Sequence, residues 1–145
     1  MEKIVWELPL KTVSEANCSE HWRVKSKRHK QQQFFIRSLF NNETQKIPLP
    51  CIVKMIRISP RSLDDDNLTM AFKWIRDEIS ECLLPQTKKV CVSRKGKFIE
   101  IKGRADSDNR IKWQYAQEKK ATHGIRIEIS SSSLSEPLDI AHECN

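Results

Sequence analysis

At 145 residues the chain has the length of one domain, enough to bury a core but not two. Charged residues make up 31% and hydrophobic residues 38%, and no apolar run approaches the ~20 residues that cross a bilayer, so no membrane partner is expected. Lys and Arg number 26 against 19 Asp and Glu, a formal charge of +7 with a pI near 9.3, which suits a polyanionic partner.

The opening Met-Glu-Lys-Ile-Val-Trp lacks the apolar centre of a signal peptide, so a cytoplasmic location is expected. It reads directly as a strand, with alternation from Lys3 to Leu10 around Ile4, Trp6 and Leu8. Glu20 to Asn41 contains no Gly or Pro and is predicted as a helix. Arg23, Lys25, Lys27, Arg28 and Lys30 sit in its first half, and Phe34, Phe35, Ile36, Leu39 and Phe40 in its second. Pro48 and Pro50 break the chain before a strand from Cys51 to Ser59. Beyond Pro60, Leu68, Phe72, Ile75, Ile79 and Leu83 form one apolar stripe, which predicts a single helix running to Pro85. Val90 to Val92 and Phe98 to Ile101 flank Arg94-Lys95-Gly96-Lys97, a hairpin with a basic tip. Arg110 to Lys120 and Ile125 to Ile129 complete the strands around a turn at Thr122-His123-Gly124. The order predicts an α+β fold, a mixed sheet covered by two main helices, over residues 1–130, with 131–145 a flexible tail.

Two acidic clusters interrupt this basic chain. Asp64-Asp65-Asp66-Asn67 opens the second helix, and Asp106-Ser107-Asp108-Asn109 precedes a later strand. A single Asp is explained as a helix cap or a turn residue. Three in a row repel one another and raise each other's pKa, which calls for a compensating cation. Two or three carboxylates with water make a hard oxygen site suited to Mg²⁺ or Mn²⁺. On this reading one cluster supplies two oxygens at alternating positions and the second supplies a third from across the sheet.

Arg61-Ser62-Leu63-Asp64-Asp65-Asp66-Asn67-Leu68, an amphipathic helix, the second Asp cluster and a strand ending in Gln117-Glu118-Lys119 together resemble the RusA-type Holliday-junction resolvases of bacteria and prophages, over residues 3 to 130. The resemblance implies a RusA-like homodimer, intertwined, that binds four-way junctions or related branched DNA in recombination and repair. It further implies symmetric cutting of two strands with Mg²⁺, leaving 5′-phosphates. Asp64 and Asp66 match the paired motif carboxylates, Asn67 the motif Asn, and Asp108 the third carboxylate, with Asp106 the rival for that place, so the resemblance implies these as the metal ligands. The family's catalytic Lys falls at Met70 in this chain, so Lys73, one turn further on, or Arg61 is the candidate for stabilising developing charge. A Lys73 paired with Asp77 at the surface is the competing reading. The expected DNA contacts are Arg61, Asn67, the first-helix cations Arg23, Lys25, Lys27, Arg28 and Lys30, and Arg94, Lys95 and Lys97 at the hairpin tip. The alternative function, favoured by Met70, is a catalytically inactive nucleic-acid-binding protein of the same fold.

Other residues carry less. The five cysteines have no paired spacing and read as reduced thiols, with Cys51, Cys82 and Cys91 as small core residues. Cys18, His21 and His29, like His142 and Cys144, lack a zinc pattern. Trp6, Trp22, Trp74 and Trp113 read as core or interface anchors, with the role of Trp22 left open by its basic neighbours. Three glycines form no phosphate-cradling loop, so no small-molecule cofactor is expected.

Overall fold

The computed structural model describes residues 2–15, 19–84, 89–92, 94–96, 98–101 and 109–132. Strand β1 (Ile4–Leu8) leads to helix α1 (Trp22–Asn42) and strand β2 (Cys51–Ser59). Helices α2 (Asp65–Ala71) and α3 (Lys73–Leu83) follow, then β3 (Lys89–Val92), β4 (Phe98–Ile101), β5 (Ile111–Lys119) and β6 (Gly124–Ser131). The fold is α+β. A four-stranded mixed sheet has the order β1-β6-β2-β5, in which only β2 and β5 run parallel, and β3 pairs with β4 in a separate hairpin. Among the described residues no helix is long and apolar enough to cross a membrane.

Register aligns the apolar residues in rows across the sheet. Trp6, Ile127, Met55 and Tyr115 form one row, and Ile4, Ile129, Val53 and Trp113 the next. Strand alternation points both rows to the same face. There they pack against Ile36 of α1, Leu68 of α2, and Phe72, Ile75 and Ile79 at and along α3. On the opposite face Arg126 reaches from β6 across β2 to Glu118, while its Nε donates to Glu7. Its stem crosses Ile56, its register partner, which is buried on that face. Gly124 opens β6 beside β1: a Cβ there would lie 3.0 Å from the Leu8 carbonyl oxygen.

The single helix expected after Pro60 is two helices, broken at Phe72 (φ −97°, ψ 0°). No Pro or Gly causes the break. The Thr69 hydroxyl donates to the Asp65 carbonyl at 3.0 Å, and the Phe72 amide turns to the Thr69 carbonyl three residues back. Such side-chain capture of an i−4 carbonyl accompanies helix bends, although the same contact at Ser38 and Ser80 leaves α1 and α3 continuous. The apolar stripe survives the break, because Leu68, Phe72, Ile75 and Ile79 all remain buried. At the other end the folded part extends past residue 130: β6 includes Ser131, and the Ser132 amide donates to Pro50. Residues 133–145 of the expected tail lie outside the described residues.

Phe72 is fully buried at the junction of the two helices and the sheet. Phe72→Ala is therefore expected to cost about 3–5 kcal/mol, read as a lower urea midpoint with an unchanged slope.

Candidate functional site

The third row of the helix-covered face changes character. It begins with Leu8 and Ile125 but continues with Arg57 and Gln117, at the end of β2 from which the chain enters α2. Arg57 is 7% exposed. A guanidinium so placed must find acceptors. Its Nε donates to Thr12 Oγ1 at 3.1 Å and an Nη to the Arg61 carbonyl at 2.6 Å. Burial pulls its pKa below the ordinary arginine value. The Gln117 amide grips Leu63 from both sides, accepting from its N–H at 2.8 Å and donating to its carbonyl at 2.6 Å. Residues 61 and 63 are thus fixed from the sheet floor just before the acidic cluster.

Asp64 caps α2. Its Oδ1 accepts from the Asn67 backbone N–H at 2.9 Å and from Asn67 Nδ2 at 2.8 Å. Asn67 Oδ1 in turn accepts from Ser14 Oγ at 2.6 Å, which sets the orientation of the amide. Glu15, next in the chain, receives Arg28 Nη2 and His29 Nε2, each at 2.7 Å. Arg28 also holds Glu20 through both Nη atoms. His29 stacks on Trp74 at 4.0 Å between ring centroids. The link between β1 and α1 therefore ties α1, β2 and the head of α2 together through Glu15, Thr12 and Ser14.

Asp65 and Asp66 lie in the first turn of α2, exposed, and among the described residues their carboxylates have no hydrogen-bond or ion-pair partner. The positive end of the helix macrodipole favours them there. No three Asp, Glu, His or Cys residues gather into a metal-ligating group among the described residues. Asp106 and Asp108 lie outside those residues. Arg110, shortly after them, has its carbonyl on the Cys51 amide at 2.9 Å, at the opening end of β2. Asp64 follows the closing end.

Lys73 is exposed as the first residue of α3, in a different helix from Asp66, with Nζ 5.5 Å from the Trp74 ring centroid. Met70 is 40% exposed in α2, and Arg61 is exposed with its carbonyl pinned by Arg57. Arg23, Lys27 and Lys30 face solvent on α1 and Lys25 is half-buried; none of the four forms an ion pair among the described residues. Arg28 differs, being committed to Glu15 and Glu20. Arg94 and Lys95 are exposed at the hairpin tip, beside Gly96 at φ +74°, whereas Lys97 lies outside the described residues. Cys51 and Cys82 are free thiols that burial pushes up to about 11, out of the range of a neutral-pH nucleophile.

Sequence reasoning missed Ser14, Glu15, Arg57 and the clamping role of Gln117. Arg57 carried a signal: it takes an inward position in the alternation Cys51, Val53, Met55. Ser14 and Glu15 carried none, since their partners are remote in sequence. Compared with protein-family models, with curated proteins and with solved structures, the chain finds no match in any of the three.

Two outcomes follow from this geometry. Asp64→Ala should lose about 0.5–2 kcal/mol of stability in EDTA. Asp66→Asn should stay within about 1 kcal/mol of the parent, since it caps nothing. Urea unfolding of both variants distinguishes cap from free carboxylate. At Glu15, burial works against ionisation, but the hydrogen bonds and charges of Arg28 and His29 outweigh it and hold the carboxyl below its ordinary 4.5. A lowered folded-state pKa contributes stability above the unfolded value and loses it as pH falls through the folded value. Thermal unfolding of Glu15→Gln should therefore show less loss between neutral pH and pH values under 4.5 than the parent does.

Proposed function

We propose that the protein is a divalent-metal-dependent endonuclease for four-way junctions or related branched DNA, with a RusA-like fold and acting as a homodimer in recombination and repair. One observation carries the reading: Asp66 is an exposed carboxylate with no partner among the described residues, just beyond backbone that Arg57 and Gln117 fix at residues 61 and 63, beside Asp64, which commits Oδ1 to Asn67. Two such oxygens fit a hard cation, Mg²⁺ or Mn²⁺. Asp64 and Asp66 hold the ion, with Asp108, or Asp106 in its place, as the further ligand. Bound there, the ion supplies the Lewis acid that neutralises phosphate charge and activates water.

The rest belongs to the chain. The Ser14–Asn67 hydrogen bond keeps the Asp64 carboxylate in one orientation. Lys73, or Arg61, faces the charge that develops on phosphate oxygens. The exposed cations of α1 and of the hairpin tip hold the DNA backbone and make affinity fall with salt.

A homodimer would supply the two-fold symmetry that a junction presents.

Asp66→Asn should abolish Mg²⁺-dependent cleavage of a synthetic junction while binding persists; cleavage by that variant ends the proposal. Millimolar Mg²⁺ should raise the melting temperature of the parent, by about 2.7 kcal/mol of stability at a hundredfold excess over Kd, and not that of Asp66→Asn. A second reading, a binding protein without catalysis, is favoured by Met70 at the position of the family's Lys. It predicts salt-sensitive junction binding with no cleavage by the parent at any Mg²⁺ or Mn²⁺ concentration.

A further inference from the structure

Helix α1 carries Arg23, Lys25, Lys27, Arg28, Lys30 and Arg37, and no Asp or Glu anywhere in its 21 residues. Five of those six cations lie in its N-terminal half, with Arg23 and Lys25 in the first turn, where the macrodipole disfavours positive charge. Arg28 has its own carboxylates, and Arg37 bridges to the buried Glu78 of α3. Arg23, Lys27 and Lys30 have none among the described residues. Spaced at i, i+4 and i+7, they share one face, and the row continues at i+11 with Phe34. Phe34 is 67% exposed, and among the described residues its ring pairs with that of Phe35, edge-on at 5.9 Å. The core-facing side of α1 is already used, with Ile36 buried and Phe35, Leu39 and Phe40 packed on the core.

We propose that this face binds an unpaired stretch of nucleic acid, with Arg23, Lys27 and Lys30 on successive phosphates and the Phe34 ring stacked on a base. The row from Arg23 to Phe34 spans about 17 Å, the length of several phosphates of one strand. Stacking on an exposed ring needs a base freed from its pair, so the preferred ligand is a branch point or a single strand rather than continuous duplex. The helix that carries this face is tied to the head of α2 from its other sides: Arg28 and His29 of α1 hold Glu15, and the adjoining Ser14 holds Asn67 beside Asp64. The inference rests on the nucleic-acid reading above and names the kind of DNA it selects.

Fluorescence anisotropy in EDTA, with a labelled oligothymidine and a blunt duplex, tests it without any cleavage. Phe34→Ala should lose about tenfold in affinity for oligothymidine while keeping its duplex affinity, and Phe34→Tyr should restore the loss. Lys27→Ala with Lys30→Ala should weaken both ligands and make the logarithmic salt dependence shallower by about 1.5. An unchanged Phe34→Ala, or an equal loss on both ligands, overturns the stacking role alone and leaves the nuclease reading standing. A parent that binds neither ligand, or that prefers phosphatidylserine vesicles to oligothymidine, overturns this inference as a whole and leaves the nuclease reading to the junction-cleavage assay.

Discussion

A guanidinium in a sheet that otherwise presents isoleucine, valine and methionine to its helices is the constraint from which the rest of this molecule follows. Arg57 has no carboxylate partner in its recorded contacts and satisfies itself on neutral oxygens, Thr12 Oγ1 and the Arg61 carbonyl. A buried polar group keeps its place only if such acceptors are held where it needs them. Two loops distant in sequence, the one leaving β1 and the one leaving β2, are therefore drawn to the same end of the sheet. Gln117, its register partner on the parallel strand β5, fixes the second loop again at Leu63. Together they turn the last row of the core into a platform, and the acidic cluster stands at its edge.

From that platform the polar contacts run outward without a gap. Asp64 to Asn67, Asn67 to Ser14, then Glu15 to Arg28 and His29, and His29 to Trp74: each step crosses from one element to the next. Such a network is worth more than its separate pairs when every member is satisfied, and it loses more when one is removed. On the sheet's far face Arg126 does a similar job, holding Glu7 and Glu118 across β2 and shielding Ile56. That lattice joins strands. The network around Ser14 joins the helices to the carboxylates, which is why a change in α1 should be felt at Asp64.

Much of this was legible in the sequence where period and chemistry agree. The alternation of β2 and β6, the uninterrupted helix α1 and the stripe from Leu68 to Ile79 each state a single solution, and the structure adopts it. The break at Phe72 was not legible, because no Pro or Gly marks it and the apolar spacing is compatible with one continuous helix. Arg28 read as one more cation of a basic helix. Its carboxylates, Glu15 and Glu20, lie in a polar stretch before the helix where no periodicity marks them. Asp64 read as a metal ligand, and it is also a cap whose Oδ1 is already engaged. The pattern is physical: apolar faces repeat and announce themselves, whereas a polar contact needs two residues whose separation only the fold determines.

The helix termini sort these charges by how much explanation each needs. At the head of α2 the macrodipole welcomes Asp64, Asp65 and Asp66, so the fold alone accounts for part of that cluster. At the head of α1 the same physics runs the other way: Arg23 and Lys25 stand in the first turn, where positive charge is disfavoured by about 0.3–1 kcal/mol each, and among the described residues no carboxylate relieves them. The nucleic-acid ligand proposed for this helix would relieve that cost, because phosphates lying along α1 would supply the charge the helix lacks.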